Sequence, residues 1–132
     1  MQLRSAVYFI LFAFLPGLGY QYVQDQLRPR GGLDGAAAYL AGVAPNFLGG
    51  VSLTAGLIVI ALNLFPKAPR MTTTVLTALI SLMGLLGWEV LQRWMPGGTF
   101  DPADLLWTVP GVVLSAAAAF PFLKVSRKDG EE

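Results

Sequence analysis

The chain has 132 residues, 55% of them hydrophobic and only 13% charged, with a formal net charge of +1 and neither cysteine nor histidine. So apolar a composition points to a membrane protein rather than a soluble domain. The net charge is too small, and its basic residues too scattered, for a nucleic-acid surface. The absence of Cys and His removes disulfides, thiolate chemistry, imidazole bases and the commonest metal ligands.

The charge-free runs define the elements. Ser5 to Gln24, Gly35 to Pro66, Met71 to Trp88 and Leu105 to Leu123 contain no Asp, Glu, Lys or Arg. A crossing of the ~30 Å hydrocarbon core takes about 20 such residues. The first span is predicted over about 5–23, with Pro16-Gly17 and Gly19 near its outer end and Tyr20 and Tyr22 at the interface. A signal peptide is the alternative, but no small-x-small cleavage pattern follows Pro16, so an uncleaved helix is expected. Gln24 to Asp34 then reads as a polar connection.

The run from Gly35 to Pro66 is too long for one upright crossing and too short for two with a turn. Pro45 and Asn46 divide it, because the residue before proline avoids the helical region and Asn favours turns. The expectation is a short interfacial or re-entrant helix over Gly35 to Ala44 and a second span over 47–65; two short spans are the alternative. Lys67-Ala-Pro-Arg70 is a basic loop, and the third span covers about 72–94. Asp101-Pro102-Ala103-Asp104 is a helix start, with an N-cap acceptor, proline at the first helical position and a second acid facing the positive end of the dipole. The fourth span follows over 104–123, and 124–132 is a solvated tail. The fold class expected is therefore all-α: a single polytopic domain, 1–132, built as a four-helix transmembrane bundle.

With four crossings, Arg4, Lys67, Arg70, Lys124, Arg127 and Lys128 fall on one side and Arg28, Arg30 and Arg93 on the other. The positive-inside rule then puts both termini in the cytoplasm and the turn between Glu89 and Asp104 outside. Trp88, Trp94 and Trp107 flank that turn as an aromatic belt. Ser52 with Gly56 on the second span, and Gly111, Ser115 and Ala119 on the fourth, have the spacing at which helix backbones approach closely.

Glu89, Gln92 and Arg93 share a helical face at three- and four-residue spacing, and Asp101, Asp104 and Thr108 follow on the next helix. The bland reading is a Glu89–Arg93 pair and a capping Asp101. The functional reading is a polar pocket in which Arg93 faces Asp104, because an ionisable group beside hydrocarbon is costly and turns toward protein or water. No nucleophile is paired with a base, no phosphate loop is present and no ligand spacing is diagnostic, so neither enzyme, metal nor cofactor is expected.

The run Glu89-x-x-Gln92, Pro96-Gly97-Gly98-Thr99-Phe100-Asp101-x-x-Asp104, then Thr108 and Gly111, resembles the signature of VanZ-like membrane proteins. Ala44-Pro45-Asn46-Phe47-Leu48 is also similar to its counterpart there. Gly98 stands where an arginine is usual, Thr108 where asparagine is usual and Ser115 where a second glycine often stands. The resemblance implies a small bacterial plasma-membrane protein, with some relatives linked to glycopeptide resistance and no established enzyme activity. The function expected is binding of a lipid head group, cell-wall precursor or lipoglycopeptide at the outer polar turn. Alternatives are a structural or assembly subunit, held to a second copy or a membrane partner through Gly111, Ser115 and Ala119, and an ion pathway through Glu89 and Asp104.

Overall fold

A computed structural model of the chain describes residues 3–98 and 100–123. The tail over 124–132, with Lys124, Arg127 and Lys128, lies outside the described residues. Four helices, each long and apolar enough to cross a membrane, make up the fold: α1 (Leu3–Arg30), α2 (Gly35–Leu64), α3 (Arg70–Gln92) and α4 (Pro102–Leu123). No strand occurs among the described residues. The end of the bundle bearing the α1–α2 and α3–α4 connections is called upper below, and the end bearing the α2–α3 loop lower.

Two expectations about the first half are corrected. The segment from Gln24 onward is helix as far as Arg30, and only 31–34 form the connection, where Gly31 and Gly32 take positive φ. Loss of hydropathy does not end α1 because its polar turns bond to themselves: Gln21 donates to Asp25, and Arg28 and Arg30 donate to Gln24 and Gln26 at 2.9 and 3.1 Å. Nor does a separate short helix precede the second span, since α2 is continuous from Gly35 to Leu64 with Pro45 inside it. Proline withholds a donor and crowds the preceding turn. The carbonyl left without its helical donor is that of Ala41; Arg28 reaches across from α1 and donates to the next one, Gly42, at 3.0 Å. At 1.5 Å per residue α2 is about 45 Å long, more than a hydrocarbon core needs, and its first turns, residues 35–40, stand exposed at the upper end.

Helix α2 is the axis of the bundle. It packs on all three others, most extensively on α4, while α1 also packs on the lower part of α4 and α3 on α4. Glycines bring α2 and α4 together: a Cβ on Gly111 would lie 2.4 Å from the Phe47 carbonyl oxygen, and one on Gly50 would lie 3.0 Å from that of Thr108. The lower core joins Tyr8 and Ala13 of α1, Ala55, Ile58 and Val59 of α2, and Ala119 of α4. Fully buried Tyr8 donates to the Ser115 carbonyl at 2.9 Å. Between α2 and α3, the buried hydroxyls of Thr54 and Ser81 are 2.7 Å apart. Ahead of Pro16, α1 widens into a π-helical stretch, Phe9–Phe14, and Ser52 of α2 donates to the Ala13 carbonyl within it at 2.6 Å. Leu, Ile, Phe and Met side chains stay exposed around the outside, as a lipid-facing surface requires.

Candidate functional site

The upper third of the bundle is not filled. Where α2 and α4 meet over Gly50, small residues leave room between α1 and α3, and a cavity of about 390 Å³ opens there. All four helices supply its wall: Tyr20, Gln24 and Arg28 from α1, Asn46 and Gly49 from α2, Trp88, Glu89 and Gln92 from α3, and Asp104 and Thr108 from α4. Its volume lies within the range of small-molecule sites, but the density of polar side chains is far above what hydrocarbon-facing helices carry.

Glu89 is the most enclosed ionisable group of this wall, at 8% exposure. It lies in the last turn of α3, near enough to Asp104 in the first turn of α4 for the two charges to act on each other. Asp104 is half-buried. The charge of Asp101 also acts on it, the Arg28 guanidinium opposes that from α1, and the Asn46 side chain stands on the same cavity wall. Two carboxyl groups and one guanidinium therefore line the cavity. Thr108, 2% exposed, turns its hydroxyl back to the Asp104 carbonyl at 2.8 Å and fixes the first turn of α4. Among the described residues no three acids gather into a set that would hold a metal ion.

The structure brings together Glu89, Gln92, Asp104 and Thr108 from the predicted set and leaves out Arg93 and Asp101. Arg93 sits at the C-cap of α3, exposed and outside the cavity wall. Asp101 caps α4, its carboxylate accepting from the Ala103 amide at 2.8 Å. The basic group opposite Asp104 is Arg28, which looked like part of a loop. Like Tyr20, Gln24 and Asn46, it was not assigned to the site from the sequence. The signal that would have found the first three is their spacing: Tyr20, Gln24 and Arg28 repeat every fourth residue, one face of a continued helix.

The small residues expected at helix contacts have several placements. Gly111 meets α2, and Ser115 and Ala119 are buried, Ser115 against Tyr8 of α1. Ser52 bonds to α1. Gly56, in contrast, has open space where its Cβ would be. Of the three tryptophans, Trp88 lines the cavity, Trp94 is exposed, and Trp107 donates to the Tyr39 hydroxyl at 2.9 Å, tying α4 to the projecting part of α2. Comparison with models of known protein families, with curated proteins and with solved structures gave no match.

Proposed function

We propose that this chain is a non-catalytic binding protein of the bacterial plasma membrane, which holds the polar head group of a membrane amphiphile in the cavity between Glu89, Asp104 and Arg28. The observation that carries this reading is the enclosure of Glu89 beside Asp104 in a space that four helices surround but none fills. Exposed Leu, Phe and Ile side chains surround the rest of the bundle, so a ligand arriving through the bilayer meets the cavity from its side. The upper end faces the periplasm in this reading, with both termini in the cytoplasm. The resemblance to VanZ-like proteins makes a cell-wall lipid precursor or a lipoglycopeptide the amphiphile to try first. An assembly role finds less support, since Gly111, Ser115 and Ala119 are already engaged inside the chain.

The test is native mass spectrometry of the protein released from membranes into mild detergent. The wild-type chain is expected to retain an amphiphile whose occupancy falls about tenfold in the shape-preserving double variant Glu89→Gln, Asp104→Asn, the loss of one to two charge-assisted hydrogen bonds. Equal occupancy in the two proteins would end the head-group reading. Lipoglycopeptide susceptibility of cells expressing each at matched levels then tells whether that amphiphile belongs to cell-wall chemistry.

A further inference from the structure

The polar cavity has an apolar continuation. Among the described residues α1 and α3 share no packed interface, so one face of α2 is left open between them. That face carries Asn46, Gly49, Leu53, Gly56 and Ile60, recurring at three- and four-residue spacing along one stripe. Its upper part is the floor of the cavity already described. Its lower part, with Phe9, Phe14 and Leu18 of α1, lines a second hollow of about 410 Å³, and Leu53 belongs to both walls. Leu53, Ile60 and Phe14 are 46%, 54% and 52% exposed, so the hollow is a groove open to the bilayer along its length. Nothing lies within 4 Å of where a Gly56 side chain would begin, which leaves the groove unobstructed at its middle.

We propose, building on the head-group reading above, that the ligand is a phospholipid whose head group carries a primary amine, bound with one hydrocarbon chain lying in this groove. The charges select the head group. An ammonium offers three donors to the carboxylates of Glu89 and Asp104, and Trp88 on the same wall is the ring type that best accepts a cation. The phosphate, one short linker away, meets Arg28, which uses two of its five donors on Gln24 and Gly42 and keeps the others. The chain follows because the groove starts at Leu53, where the polar wall ends, and runs down toward the lower end as an acyl chain does from its head group. An anionic lipid without the amine brings its charge to a wall with two carboxyl groups and a single guanidinium, and offers those carboxyls no charge-assisted donor of its own.

The test uses the full-length protein in phosphatidylglycerol vesicles containing a trace of phosphatidylethanolamine with a photoactivatable diazirine midway along one acyl chain. Adducts are expected to map to the α1–α2 groove, around Phe14, Leu18 and Leu53. The same diazirine on phosphatidylglycerol should give about tenfold less of that adduct, the worth of a charge-assisted hydrogen bond. Gly56→Phe, which fills space the fold leaves open, should reduce the groove adduct while the head-group occupancy measured by mass spectrometry changes less. Equal yields from the two probes on the wild-type protein, or adducts spread evenly over all lipid-facing helices, would overturn the proposal without any variant being needed. If head-group occupancy persists with adducts so spread, the groove assignment falls and the cavity reading stands; if that occupancy is also indifferent to Glu89 and Asp104, both fall.

Discussion

Gly111 and Gly98 show how much of the site depends on a missing side chain. A Cβ on Gly111 would sit 2.4 Å from the Phe47 carbonyl oxygen, and one on Gly98 would sit 2.1 Å from that of Gln92, and neither obstacle is a flexible side-chain end. Gly111 sets how close α4 comes to α2, and thus where Asp104 and Thr108 stand relative to Asn46. Gly111→Ala must push the two backbones apart, an overpacking cost of about 1–3 kcal/mol. The expected outcome is a lowered thermal midpoint in detergent, with Gly56→Ala close to wild type because its Cβ enters open space; equal losses in the two would contradict this account of the α2–α4 contact. At Gly98 the turn folds back on the end of α3 so tightly that no side chain fits without moving backbone. Arg93 and Asp101 belong to the same scale. Both lie within a few residues of the cavity in sequence, yet a helix end and a cap turn them away from it.

At the scale of elements, helices are held to each other by single polar contacts set among apolar ones. Tyr8 to Ser115, Ser52 to Ala13 and Thr54 to Ser81 each join two helices at buried or half-buried positions. In lipid no hydrophobic force draws helices together, so packing and such hydrogen bonds set the arrangement. A double-mutant cycle on Thr54→Ala and Ser81→Ala should give a coupling of about 0.6 kcal/mol, the usual worth of an interhelical bond in a membrane. A coupling indistinguishable from zero would mean that α3 is positioned by packing alone. Pro45 belongs here too. Its rule as a helix breaker is local, and α2 runs through it where the helix is packed on its neighbours, with Arg28 of α1 donating to Gly42, one residue beyond the carbonyl that the proline leaves without a donor. The same guanidinium acts on Asp104, so the residue that ties α1 to this turn of α2 is also the positive charge of the cavity.

For the whole molecule the question is which side of the membrane the cavity faces. The chain contains no cysteine, so single cysteines report without background. Asp34→Cys, in the upper α1–α2 connection, is expected to react with a membrane-impermeant maleimide on intact cells, and Lys67→Cys, in the lower loop, only after permeabilisation. The reverse pattern would place the cavity on the cytoplasmic side and remove periplasmic ligands from consideration.

The number of membrane-length helices, their apolar character and the start of α4 at Asp101-Pro102 were all readable in the linear chain, because spans announce themselves through charge-free length and caps through side chains two residues from their target. Glu89 and Asp104 were readable as well, since carboxylates beside hydrocarbon stand out in any order. The company they keep was not. Arg28 and Asn46 lie far from them in sequence, one on a stretch too polar to look like a span and the other beside a proline that looked like a break. Whether a polar turn stays helical, and which face of α2 is left uncovered between α1 and α3, depends on contacts between distant segments, and local propensity carries no record of those.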